Sequence, residues 1–154
     1  MSVADVYREE QITVAQQAIY QITDIVLTPV EDGWSLHKGD ICSEIRFAHL
    51  WRGTLRLECT RSLAVVLSSL MLSLDTDKVS EPDMIDVVGE ILNTIAGNLK
   101  CLMPGDTELS VPSASVAKGK RSCICGAPDG CREQSEVLLE GDAGMLRLSL
   151  IHCA

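Results

Sequence analysis

The sequence predicts an α+β fold, helices packed on an antiparallel sheet, in one domain covering residues 1–154. Three observations lead there. Three stretches repeat apolar residues at helical spacing, several shorter ones alternate apolar and polar residues as half-buried strands do, and the order is helix, hairpin, two helices, then strands. Helices and strands thus come in runs and do not alternate, as expected when helices cover one face of an antiparallel sheet. A chain of 154 residues, 46% of them hydrophobic, is long enough for one sizeable core.

The first helix is expected over residues 4–27, where Val6, Ile12 or Val14, Ala18, Ile22 and Ile25 recur at roughly helical spacing and Pro29 sets the limit. Arg8, Glu9, Glu10, Gln16, Gln17 and Gln21 supply its exposed side. Glu31-Asp32-Gly33 is turn chemistry. Two strands over 41–50 and 54–59 form a hairpin turning at Arg52-Gly53, with Trp51 at the tip: Ile41, Ser43, Ile45 and Phe47 alternate with Cys42, Glu44, Arg46 and Ala48, and Leu55 and Leu57 with Arg56 and Glu58. Thr60 is placed to cap a strongly apolar second helix through Leu63, Leu67, Leu70 and Leu74, which should lie on the sheet with little exposed surface. Asp75-Thr76-Asp77-Lys78 reads as a solvated link. The last three strands are expected over 107–117, 133–140 and 145–153, the final pair joined through Gly141-Asp142-Ala143-Gly144.

Residues 80–103 form the most strongly signalled element. Ser80 and Asp83 make a capping-box pattern, Pro82 fits a first turn, and Pro104-Gly105 ends the helix. At about 100° per residue the stretch divides in two. Met84, Val88, Ile91, Leu92, Ile95, Leu99 and Leu102 form an apolar face for the core. Asp86, Glu90, Asn93, Gly97 and Lys100 fall within a strip about 80° wide on the opposite side. Gly89 and Gly97 each cost a helix roughly 1 kcal/mol relative to alanine. Two readings of that strip stand side by side: a solvated face with tolerated glycines, or a docking surface to which glycine gives close access. Glu90 and Asn93, at i and i+3, are neighbours on a helix and suited to gripping a cation and holding a water.

The pattern Asp86-x-x-x-Glu90-x-x-Asn93-x-x-x-Gly97-Asn98-x-Lys100 resembles the signature helix of the CheC/CheX family of chemotaxis phosphatases, and residues 109–119, Leu-Ser-Val-Pro-Ser-Ala-Ser-Val-Ala-Lys-Gly, resemble the strand that follows it in CheX. The acidic balance and a cysteine-bearing insertion depart from the family pattern. The resemblance implies the same α+β fold, a homodimer in which sheets join, and hydrolysis of the aspartyl phosphate of a CheY-type response regulator. By resemblance Asn93 orients the attacking water, Glu90 pairs with the regulator's active-site lysine, Asp86 and Lys100 flank the contact, and Gly97 lets the partner approach. No cofactor of its own is implied; Mg²⁺ is expected on the regulator. Some CheC-type members carry a second motif copy on another helix. The first helix here has no Glu-x-x-Asn, so one site per chain is expected.

A net charge of −9 argues against nucleic acid and anionic membrane as partners. No basic n-region with an apolar h-region opens the sequence, and no apolar run reaches the ~18–20 residues that span a bilayer, so a cytoplasmic location is expected. The seven cysteines are then read as reduced thiols, with Cys42, Cys59, Cys101 and Cys153 as small hydrophobes. Cys123, Cys125 and Cys131 crowd one segment between strands. A soft-metal site lacks its fourth ligand there, a Cys125–Cys131 redox pair is a second option, and a variable loop with exposed thiols is favoured. His37, His49 and His152 are far apart, and no nucleophile elbow or phosphate-binding loop occurs. The leading expectation is thus a regulator phosphatase. The alternatives are a non-catalytic regulator-binding module and a redox or metal sensor built on the cysteine segment.

Overall fold

The computed structural model describes residues 3–49, 52–103, 105, 107–118 and 131–153. Its elements are α1 (Val3–Thr23), β1 (Thr28–Val30), β2 (Ile41–Ala48), β3 (Gly53–Cys59), α2 (Arg61–Leu72), α3 (Glu81–Lys100), β4 (Glu108–Leu109), β5 (Ser113–Val116), β6 (Cys131–Gly141) and β7 (Gly144–Cys153). A single 3₁₀ turn, Thr76–Lys78, links α2 to α3. The strands form one antiparallel sheet in the order β1-β6-β7-β3-β2-β4, with β5 also paired to β2. This is the expected α+β arrangement of helices on an antiparallel sheet. Trp51 and residues 119–130, with Cys123 and Cys125, lie outside the described residues.

The helices cover one sheet face. Ile41, Ile45, Phe47, Leu55, Leu57, Val137, Leu139, Leu146, Leu148 and Leu150 meet Ala15, Ala18 and Ile19 of α1, Leu63, Ala64 and Leu67 of α2, and the apolar face of α3 in one buried cluster. Helix α3 contacts β2, β3, β4 and β5, α1 contacts β6, and α2 contacts β7. Thr60 caps α2 as expected: its Oγ1 accepts from Leu63 N–H at 3.4 Å, and also from Met145 N–H at 3.1 Å. The β6–β7 turn packs against this cap so tightly that a Cβ on Gly144, at φ 153°, would collide with the Thr60 hydroxyl.

Several expectations need correction. Helix α1 stops at Thr23, because Asp24 turns left-handed at φ 62° and the Thr23 hydroxyl takes the Ile25 N–H. Ile22 is exposed; the buried seam is Gln11, Ala15, Ala18 and Ile19. Helix α2 is less covered than its composition suggests, with Leu70 and Leu72 exposed near its end. Helix α3 ends at Lys100, so Leu102 leaves the apolar face and is exposed. The strand expected over 107–117 is two short strands broken at Pro112, whose ring offers no N–H to a ladder. Ser110 holds the break against β2: its N–H donates to Arg46 O, and its Oγ accepts from Arg46 N–H, both at 3.0 Å. Cys101 is exposed, not a core thiol, because it caps the end of α3. Cys153 is disulfide-bonded and not a free thiol. It stands opposite Cys131 in the β6–β7 register, a proximity created by strand pairing.

The other sheet face carries charges in cross-strand pairs. Glu44 lies opposite Arg56, and Glu58 opposite Arg147. Arg56 Nε donates to Glu44 Oε2 at 3.2 Å, and Arg147 Nη2 to the fully buried Glu58 at 2.6 Å, with Trp34 stacked 5.5 Å from the Arg147 guanidinium. Burial, with Asp40 nearby, pushes the adjoining Cys59 thiol well above its ordinary pKa, so it stays protonated.

Candidate active site on helix α3

The site begins with a well-fixed helix start. Ser80 Oγ accepts from Asp83 N–H at 3.3 Å, and Asp83 Oδ2 accepts from Ser80 N–H at 3.0 Å, completing the capping box with Pro82 in the first turn. The backbone hydrogen bond from Ser80, then the side-chain one, hold the Asp83 carboxyl below its usual pKa. Arg61 adds an ion pair to Glu81 at 3.0 Å. Beyond this start, Met84, Val87, Val88, Ile91, Leu92, Ile95, Ala96 and Leu99 are buried, so the helix cannot roll.

That anchoring decides what the opposite side presents. Asp86, Glu90, Asn93 and Lys100 are exposed, and Gly97 is half-buried, where among the described residues nothing beyond its chain neighbours and its own stretch of helix backbone lies within 4 Å of where a Cβ would stand. The five residues expected at a site therefore share one face of α3. No hydrogen bond or ion pair joins the Asp86, Glu90, Asn93 or Lys100 side chains to any other described residue. Their backbones do take part: the Glu90 carbonyl accepts from Thr94 Oγ1, and the Lys100 carbonyl from Met103 N–H, both at 3.0 Å. Asn98 is exposed as well, off the strip, and does not serve the core.

Gly89 behaves otherwise. It is buried, and a Cβ there would stand 3.8 Å from Pro112 Cβ. It thus belongs to the contact between α3 and the β4–β5 bend, not to the open strip. Two clefts flank the strip on that side. One, of about 560 Å³, is lined by Ile85, Asp86, Gly89, Glu90, Pro112 and Ala114. The other, of about 450 Å³, is lined by His49, Lys100, Gly105, Thr107 and Glu108, with His49 Nε2 3.0 Å from Glu108. Pro112, Ala114, His49 and Glu108 carry no helical periodicity; only the pairing of β4 and β5 with β2 brings them to α3. Among the described residues no three metal-ligating side chains cluster.

Glu90 and Asn93, without partners among the described residues, thus lie one turn apart on this anchored helix. The sequence profile of the chemotaxis phosphatase CheX family matches residues 41–124, more than half of the chain, including all of α3 and β5. The chain belongs to the CheX family. Among curated protein sequences nothing matches it significantly. Solved structures share the fold. The chemotaxis protein CheX from Vibrio vulnificus superposes with a TM-score of 0.78 at 16% identity, over 99% of both chains. A CheC-like superfamily protein from Shewanella gives 0.77 at 18% identity over the full length of both. The CheX in a CheX–CheY–BeF₃–Mg²⁺ complex from Borrelia burgdorferi gives 0.71 at 14% identity, over 96% of this chain and 98% of that one. At these identities the likeness concerns the fold. No helix among the described residues is long and apolar enough to cross a membrane.

Proposed function

We propose that this chain dephosphorylates a CheY-type response regulator by aligning a water against its aspartyl phosphate. The observation that carries the reading is the pair Glu90 and Asn93, exposed, without a partner among the described residues and one turn apart on a helix whose other face is buried. Membership of a chemotaxis phosphatase family supports it, as does a fold shared with a CheX crystallised on CheY with BeF₃ and Mg²⁺.

The chemistry asks little of this chain. An aspartyl phosphate is a mixed anhydride and already reactive. Water attacks phosphorus, the bond from phosphorus to the aspartyl oxygen breaks, and inorganic phosphate leaves with the carboxylate restored. Mg²⁺ on the regulator supplies charge neutralisation for the phosphoryl oxygens. The Asn93 amide both accepts from and donates to a water, so it fixes the nucleophile in line. Glu90 meets the regulator's active-site lysine and sets the depth of docking. Gly97 leaves the helix surface open, while Asp86 and Lys100 bound the contact with opposite charges. One such site per chain, a homodimer and a cytoplasmic location complete the reading.

The test is the decay of the phosphorylated regulator from the same cell, with and without this protein, with Asn93→Ala alongside. Faster decay that the substitution abolishes is the expected result. Binding without faster decay would instead identify a non-catalytic regulator-binding module.

A further inference from the structure

The cleft between α3 and the β4–β5 bend shares Glu90 with the water-aligning pair but adds Asp86 and an apolar trough that the pair does not use. We propose that it seats a second basic side chain of the phosphorylated regulator, outside the regulator's phosphorylation pocket, and thereby selects which regulator is accepted. The inference rests on the function proposed above and adds a specificity contact to the same docking face.

The cleft of about 560 Å³ has two unlike parts. Its floor and walls are apolar: Ile85 and the bare backbone of Gly89 on the helix, Pro112 and Ala114 across from them. Its rim is anionic, formed by Asp86 and Glu90, exposed carboxylates at i and i+4 with no partner among the described residues. Next to Pro112, Val111 is 83% exposed, an apolar knob at the bend. An apolar trough ending in carboxylates fits the aliphatic stem and cationic head of a lysine or arginine.

The occupant follows from continuity and charge. Glu90 belongs both to the rim and to the Glu90/Asn93 pair, so a regulator that reaches Asn93 also covers the cleft. With Glu90 engaged by the active-site lysine, Asp86 is the carboxylate left for a second cation. The opposite end of the strip is lined by Lys100 beside the paired His49 and Glu108. The face therefore runs from acid to base along α3. That gradient fixes the regulator's orientation: its extra basic side chain lies toward Asp86, and an acidic group toward Lys100.

The experiment measures Kd for the regulator from the same cell, held in its phosphorylated form by beryllofluoride and Mg²⁺, across a range of salt concentrations. Asp86→Lys should raise Kd about tenfold or more and flatten its salt dependence. Val111→Asp should raise it severalfold. Gly89→Ala should raise both Kd and Tm, since alanine favours the helix while its methyl fills the cleft toward Pro112; this separates docking from folding. Reversing the regulator's surface Lys and Arg residues to Glu one at a time should identify one position that restores binding to Asp86→Lys. A Kd for Asp86→Lys within twofold of the native value, with unchanged salt dependence, would overturn the cleft assignment while leaving the role of Asn93 intact. Binding to the native chain without faster decay would overturn the phosphatase reading alone, and no binding at all would overturn both.

Discussion

Helices α1 and α3 are nearly equal in length, 21 and 20 residues, and both pack on the same core. They differ in where some of their polar side chains go. In α1 three of these groups turn inward or pair, while Glu9, Gln17 and Gln21 stay exposed: Gln11 is fully buried, with Nε2 donating to Leu148 O at 3.5 Å and Oε1 accepting from the Ser135 hydroxyl. Gln16 Nε2 donates to Leu27 O at 2.8 Å, and Arg8 meets Glu31 at 3.6 Å. In α3 Asp86, Glu90, Asn93 and Lys100 face solvent without partners among the described residues, although a capping box and a full apolar face hold the helix in place. Buried polar groups such as Gln11 are satisfied within the fold. The strip of α3 is instead solvated, and it differs from the exposed residues of α1 in putting an acid, an amide, a glycine and a lysine on one face of a helix with a capped start.

The comparison breaks most sharply at Asn93. Asn93→Ala is expected to slow regulator dephosphorylation about a hundredfold or more, by loss of water alignment. Regulator affinity should hold, and stability should stay within about 0.5 kcal/mol, as for exposed positions generally. Single-turnover decay with a thermal melt checks both, and a large drop in Tm would mean that the face is structural after all. The mirror image is Gln11→Ala in α1. It leaves the buried Ser135 hydroxyl without its acceptor and should cost roughly 1–3 kcal/mol of stability in a denaturant titration. Activity per folded molecule should not change. Glu90→Ala comes next, with an expected loss of about tenfold in affinity as well as rate and no change in Tm.

Smaller effects sharpen the picture at the start of α3. Ser80→Ala removes the cap from Asp83 N–H and should cost about 1 kcal/mol, a shift of ~2–4 °C in Tm. The capping box also has a pH signature. Because the Asp83 carboxyl sits below its ordinary value of 3.8 in the folded state, its stabilisation is fully present above that pH and is lost as pH falls through the lowered value. Melts between pH 5 and about 2.5 should therefore show a decline that is smaller in Ser80→Ala.

Much of the site was legible because it lies on one helix. Its start, its buried face and the strip from Asp86 to Lys100 follow from a 3.6-residue period and a capping box, which act over a few neighbouring residues. Its end was less clear: a spacing rule carries Leu102 onto the apolar face, whereas the chain leaves the helix at Lys100. Gly89 shows the same limit. Both glycines of α3 suggest access, yet Gly97 is open and Gly89 is packed against Pro112, a residue of a distant strand pair.

Fold class, the order of the three helices, the β2–β3 hairpin and the last strands, and the face bearing Glu90 and Asn93 were determined by the sequence itself, since period, caps and turns are local properties of the chain; β1, formed only by pairing with β6, was not. Tertiary structure alone decided what stands beside that face. Pro112 splits one expected strand into β4 and β5, and their pairing with β2 sets Pro112 and Ala114 against α3 to form the cleft. It likewise placed Glu58 opposite Arg147, and Cys153 opposite Cys131. These neighbours are far apart in the chain and come together only through strand register, which depends on the packing of the whole sheet and not on any short stretch of residues.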